Sequence, residues 1–199
     1  MNKQYKAVLF DFGGIIINDP TRELYDNIRP HLTPENRPLF WQIANNYALG
    51  VIKSKEDFFN KILELSNKDI KIDQLERQYT IDKQPNLKLL DFVLKIKEKY
   101  KTGIVTNNGK DYMDYWIKRL GLQTYFDTII VSAVIGYKKP DPQIYLVACL
   151  SLEVEPNECV FVDDNDEPLL GAKSLNMEVY KFKIDKTEEF TTFFSKKFL

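Results

Sequence analysis

Long apolar runs are missing from this chain of 199 residues. None approaches the ~18 residues that a membrane span requires. The first apolar run, Ala7 to Phe10, stops at Asp11 and is too short for a signal-peptide core. An excess of one charge is missing too. The 28 basic and 29 acidic side chains leave a net charge of −1, with no field to capture nucleic acid or an anionic membrane. Cysteine is scarce. Cys149 and Cys159 lie in apolar surroundings and read as buried thiols of a reducing compartment, not as a disulfide staple. Internal repeats, low-complexity stretches and long charge blocks are absent. The expectation is a soluble, cytoplasmic, globular protein without a nucleic-acid or membrane partner, either a monomer or a weak homodimer. A chain of this length buries roughly 70% of its unfolded surface, and it has room for one domain plus an insertion.

Four short apolar runs are present: Ala7 to Phe10, Gly103 to Thr106, Thr128 to Val131 and Cys159 to Val162. Each lacks period-2 alternation, as strands buried on both faces do. Met177 to Phe182 is a weaker fifth. Between the later runs lie helical patterns. Leu87, Leu90 and Val93/Leu94 form one apolar stripe; Tyr112/Met113, Trp116/Ile117 and Leu120 form another, closed by Gly121. Asp141-Pro142 has the N-cap acid and first-turn proline of a helix start. Strand and helix alternate from residue 86 to 184, which predicts an α/β fold: a Rossmann-like parallel sheet in three layers.

Residues 18–85 differ. They hold no convincing strand and several amphipathic helical segments. Thr33-Pro34-Glu35 is expected to open one that Gly50 ends, and Ser54-Lys55-Glu56-Asp57 resembles a capping box. A helical insertion directly after the first strand sits over the sheet edge where open parallel sheets bind ligands. It reads as a cap, with residues 1–17 and 86–199 forming the core.

Three of the runs end in polar groups: Asp11, then Thr106-Asn107, then Asp163-Asp164. Carboxyl ends of parallel strands share one rim, so these groups converge despite their separation in sequence. Lys139 joins them, carried between Lys138 and Pro140 on a stretch that Pro140 and Pro142 stiffen. A carboxylate nucleophile, further carboxylates for a hard cation, an ammonium and small hydrogen-bond donors are what phosphoryl transfer through a carboxylate needs.

At this point the chain resembles the haloacid dehalogenase superfamily, of the type with a small helical cap. The matching pieces are Leu9-Phe10-Asp11-Phe12-Gly13-Gly14, Ile104-Val105-Thr106-Asn107, Lys139-Pro140-Asp141-Pro142, and Phe161-Val162-Asp163-Asp164 followed by Gly171-Ala172. Their order and spacing fit over essentially the whole chain. The resemblance implies a phosphohydrolase acting on a small phosphorylated metabolite. Asp11 would be the nucleophile and form an aspartyl-phosphate. Thr106 and the backbone N–H of Asn107 would hold the phosphoryl group. Lys139, which directly precedes the proline, would neutralise charge. Asp163, Asp164, Asp11 and the Gly13 carbonyl would bind Mg²⁺.

Two positions depart from the family pattern. Phosphatases of this family carry a second Asp where this chain has Gly13, and that Asp is the general acid/base. Its absence puts phosphatase activity in doubt for poor leaving groups, because acid–base help is worth ~10²–10⁴ in rate. Pro168 stands where many relatives carry Asn. Two residues are candidates for the missing acid: Asp19, read first as a turn or N-cap residue before Pro20, and His31, read first as a solvated turn histidine. Tyr25, Trp41 and Tyr47 would shape a pocket or simply fill the insertion's core. Phe190, Phe193, Phe194 and Phe198 repeat as one face of a terminal helix packed on the sheet. A dehalogenase, in which Asp11 attacks carbon without a metal, and a non-catalytic binding module remain the rival readings.

Overall fold

The computed structural model describes residues 4–66 and 71–199. Five strands form one parallel sheet: β1 (Ala7–Phe10), β2 (Lys101–Thr106), β3 (Thr128–Val131), β4 (Cys159–Asp163) and β5 (Glu178–Lys181). Their order is β3-β2-β1-β4-β5, so the first strand in sequence is central in space. The register pairs Phe10 with Ile104 on one side and with Val162 on the other. Asp11, Asp163 and the Thr106–Asn107 step are thereby brought to a single rim. Each predicted strand is present: Ala7–Phe10 and Thr128–Val131 match, and the ends of the other three shift by one or two residues.

Alternation along each strand divides the core in two. Val8, Phe10, Ile104, Val160 and Val162 face one layer, made by α5 (Leu87–Lys97), α6 (Lys110–Leu120) and the terminal helix α10 (Thr187–Phe198). Ala7, Leu9, Val105, Ile130 and Phe161 face the other, made by α8 (Pro142–Leu152) and α9 (Asp166–Ser174). Both sheet faces are covered, which is why these strands read as unbroken apolar runs. The local signals act as expected. Gly121 ends α6 at φ 58°, and the Asp141 carboxylate accepts from Gln143 N–H at the start of α8. In α10, Phe190, Phe194 and Phe198 are buried, and Phe190 meets Phe10, Phe92 and Phe182 edge to face. Truncating such a buried ring costs ~3–5 kcal/mol. Cys149 and Cys159 are buried, 3.7 Å apart and unbridged.

Between β1 and α5 lie α1 (Pro20–Ile28), α2 (Arg37–Ala48), α3 (Lys55–Leu65) and α4 (Ile72–Glu76), which runs into a π-helical turn over Arg77–Ile81. The short α7 (Ser132–Ile135) follows β3. The start of α2 differs from the expected Thr33–Glu35. Asn36 and Arg37 N–H both donate to Thr33 C=O, so Thr33–Asn36 closes as a separate turn before the helix. Pro38, which has no N–H to lose, then sits in the helix's first turn. Asn86 ties the two ends of the insertion together. Its N–H donates to Ile16 C=O at 2.7 Å, and its side chain reaches Thr187 Oγ1 at 2.8 Å. Among the described residues, no helix is long and apolar enough to cross a membrane.

Candidate active site

Asp11 follows β1 as the chain leaves the sheet. Its Oδ1 accepts from Phe12 N–H at 2.6 Å and from Lys139 Nζ at 2.8 Å. Lys139 Nζ also donates to Asp163 Oδ2 at 2.7 Å, and both of those side chains are buried. Asp163 Oδ1 accepts from Asn165 N–H at 2.9 Å, which holds its carboxylate in place. One oxygen from each of Asp11, Asp163 and Asp164 lies within 4.8 Å of the others. Three carboxylates thus meet one ammonium, an excess of two negative charges if all are ionised.

The electrostatics follow from that excess. Burial pushes the Asp11 carboxyl well above the usual range; Asp163 adds to this, and Lys139 opposes it. Asp164 rises to about 6, by burial first and then by the charges of Asp163 and Asp19. Burial alone would lower the Lys139 ammonium, but the two carboxylates it touches outweigh that and raise it.

The loop after β2 is built around side-chain amides. Asn107 pairs with the backbone of Lys139 in both directions: Nδ2 donates to the Lys139 C=O at 2.9 Å, and Lys139 N–H donates to Oδ1 at 2.8 Å. Asn108 Nδ2 donates to the buried Thr106 Oγ1 at 2.7 Å. That hydroxyl's own proton is left to be donated elsewhere. The Asn107 role is not encoded by a local sequence pattern, because its partner comes from folding: Lys139 lies 32 residues beyond it.

Gly13 and Gly14 serve different ends. Gly14 has φ +74°, and a Cβ there would lie 2.4 Å from the Asp164 carboxylate. Only glycine lets Asp164 come so close to this loop. Gly13 has no such constraint: a Cβ would make ordinary contacts with Pro20 at 3.5 Å and Asp19 at 3.8 Å.

These groups line one face of a cavity of about 360 Å³. Asp11, Gly13, Thr106, Asn107, Lys138 and Lys139 form its floor, while Trp41, Ala44, Asn45 and Ala48 come from α2 above. Their spacing of i, i+3, i+4, i+7 is one helical face. Trp41 therefore belongs to the cavity, whereas Tyr25 stacks behind it and Tyr47 is buried against Phe58. Asp19 also lines the cavity, with its carboxylate capping α1 through Thr21 and Arg22 N–H. His31 is exposed in a 3₁₀ turn and is not among the lining residues. Lys138 lines the cavity beside Lys139, but it is Lys139 that makes the ion pairs. Pro168 is at the cavity margin, and its C=O accepts from Tyr145 Oη at 2.7 Å.

A family model described as haloacid dehalogenase-like hydrolase matches residues 5–176. The chain belongs to that family. Among the proteins that this chain is similar to is the "Putative pyrophosphatase PpaX" of Clostridium perfringens. It is 30% identical over 92% of this chain and 89% of its own length. The D-ribitol-5-phosphate phosphatase of Bacteroides thetaiotaomicron is 24% identical over 88% of this chain and 91% of its own. Among solved structures, a family enzyme from Bacteroides thetaiotaomicron superposes with a TM-score of 0.74 at 24% identity, covering 94% of this chain and 99% of that one.

Proposed function

We propose that this hydrolase removes the phosphoryl group from a small phosphorylated metabolite through an aspartyl-phosphate on Asp11, with Mg²⁺ as cofactor. The observation that carries the reading is the charge imbalance on the rim: three carboxylates within 4.8 Å facing a single ammonium. A partly buried excess of this kind is costly unless a cation compensates it. An all-oxygen donor set suits a hard divalent ion, for which Asp11, Asp163, Asp164 and the Gly13 carbonyl are the assigned ligands. When bound, Mg²⁺ would supply positive charge to the phosphoryl oxygens. Support also comes from the phosphatases among the relatives and from a Bacteroides thetaiotaomicron neighbour crystallised with magnesium and inorganic phosphate.

In this reading each side chain has one task. The Asp11 carboxylate attacks phosphorus through Oδ2, since the described donors to it occupy Oδ1. The ester P–O bond breaks, and its electron pair departs with the leaving oxygen. Thr106 Oγ1–H, with Asn108 holding its lone pair, and Asn107 N–H donate to the phosphoryl oxygens. Lys139 stays ionised and offsets the charge that builds up. Water then attacks the aspartyl-phosphate, releasing inorganic phosphate and regenerating Asp11. Gly13 offers no acid to the leaving oxygen, so aryl and acyl phosphates, which leave as stable anions, are favoured. Residues 18–85 act as the cap that closes over the leaving group, in a cytoplasm where Cys149 and Cys159 stay reduced. A dehalogenase would not need the third carboxylate at Asp164.

The test is a phosphate-release screen over a panel of metabolite phosphates, acyl phosphates and an aryl phosphate, with Mg²⁺ and with chelator. Magnesium-dependent release from at least one small phosphate is expected. No release from any of them, or release indifferent to chelator, would overturn the reading.

A further inference from the structure

The cavity wall on α2 is fixed to the core at a point that the proposed chemistry does not use. Tyr47, on the side of α2 away from the cavity, donates from Oη to Asp111 Oδ1 at 2.6 Å. Lys55 N–H, at the start of α3, donates to Asp111 Oδ2 at 2.5 Å. One carboxylate in the first turn of α6 therefore holds two helices of the insertion. The approach is tight. A Cβ at Gly109 would fall 2.1–2.6 Å from the Tyr47 ring, so this loop has no room for any other residue unless the ring moves. A second tie lies alongside, where Ser132 Oγ donates to Ala48 C=O at 2.5 Å. Asp111 is five positions after Thr106, in the first turn of the helix that directly follows the loop carrying Asn107 and Asn108. The phosphate-holding loop and the wall that a leaving group must touch are thus joined through a single side chain.

We propose that Asp111 is a positioning residue that latches α2 to the Thr106–Asn108 loop and so sets how tightly the leaving group is held. The proposal rests on the phosphatase reading for its kinetic consequence, but not for the latch itself. A carboxylate suits the place because it only accepts, and Tyr47 Oη, Lys55 N–H and the neighbouring Tyr112 N–H are all donors. The Tyr47 hydroxyl remains protonated, since burial pushes it far up and the nearby Tyr79 and Asp111 add to that. Asparagine at 111 would turn an N–H₂ toward at least one of these donors.

Two measurements test this in wild type, Asp111→Ala and Tyr47→Phe. The first is steady-state kinetics with acetyl phosphate, too small to reach α2, and p-nitrophenyl phosphate, whose ring would meet Trp41 and Asn45. For the aryl substrate, KM should rise about 10-fold in Asp111→Ala and about 3-fold in Tyr47→Phe with kcat nearly constant, as expected for lost uniform binding. The acetyl phosphate constants should stay within about 2-fold. The double variant should be no worse than Asp111→Ala alone. The second measurement is amide hydrogen exchange, in which Lys55 and the amides of α2 should lose protection in Asp111→Ala while β1 and β4 keep theirs. Equal changes for both substrates, or no change for either, would overturn the specificity role. Unchanged exchange of Lys55 and α2 would overturn the latch. If wild type hydrolyses neither substrate, the phosphatase reading has failed and the exchange result alone decides the latch. Should Asp111→Ala not fold, Tyr47→Phe, which removes only one hydroxyl, carries the kinetics and the exchange of the α2 amides, whose unchanged protection would overturn the latch.

Discussion

At the scale of single residues, Asp11 and Gly13 make opposite demands on the same short stretch. Asp11 is partly buried beside two other carboxylates, and its raised carboxyl pKa marks the ionised form as a burden on the fold above the ordinary range near 3.8. Asp11→Asn should therefore abolish turnover while leaving the melting temperature equal or higher, with the larger gain at pH 8 than at pH 5. Turnover like wild type would end the covalent mechanism. Gly13 is open to a side chain, because it has no positive φ and nothing within 3.4 Å of a Cβ. Gly13→Asp is expected to fold normally and to gain part of the ~10²–10⁴ that acid catalysis supplies. The gain should appear in kcat/KM for alkyl phosphates and be small for aryl phosphates. Equal and efficient hydrolysis of both classes by wild type would mean that another group, such as Asp19 at the cavity edge, already donates the proton.

Among the elements, the loops between strands and helices carry the stability that the site needs. Asn86 accepts from Leu89 N–H as the N-cap of α5, and it donates to Ile15 C=O and Thr187 Oγ1. It thereby joins the two ends of the insertion to the terminal helix. Asn86→Ala should cost ~1–2 kcal/mol, the upper part of the range for a lost cap, measured by denaturant titration. A loss under about 0.5 kcal/mol would show that the backbone bond to Ile16 suffices on its own. Gly14→Ala meets two obstacles at once, a left-handed backbone and the Asp164 carboxylate 2.4 Å away. It should abolish Mg²⁺ binding by calorimetry even where the variant still folds, whereas Gly13→Ala should bind normally.

For the whole molecule, the proposed ligand set makes cation and proton competitors for one cluster. Asp164, raised to about 6, takes up a proton in the folded chain at a pH where the unfolded chain has lost it. Stability without cation thus falls as pH rises from about 4 through 6. Mg²⁺ should reverse this above pH 6 and lose its effect below it. At 100 times Kd it would add about 2.7 kcal/mol. That is ~5–10 °C for a chain of this size. Melting curves at pH 5 and pH 8, with and without Mg²⁺, measure the effect. A larger shift at pH 5 would contradict the assignment of the carboxylates as ligands.

The sheet was legible in the sequence because burial on both faces leaves a local trace. Ala7–Phe10, Thr128–Val131 and Cys159–Asp163 are short apolar runs whatever their partners are. The rim residues Asp11, Thr106, Asp163 and Asp164 were legible for a related reason: strand ends are local, and a parallel sheet places them together. The caps at Asp141 and Gly121 are likewise properties of a few adjacent residues. What only the tertiary structure decided depends on partners far apart in the chain. The Asn107 amide fits the Lys139 backbone, Tyr47 Oη finds Asp111 across 64 residues, and Gly14 is required by a carboxylate 150 residues later. Trp41 and Tyr47 lie on one amphipathic helix, and no periodicity could assign one to the cavity and the other to the latch. That assignment follows from which face of α2 meets the core, and so from packing.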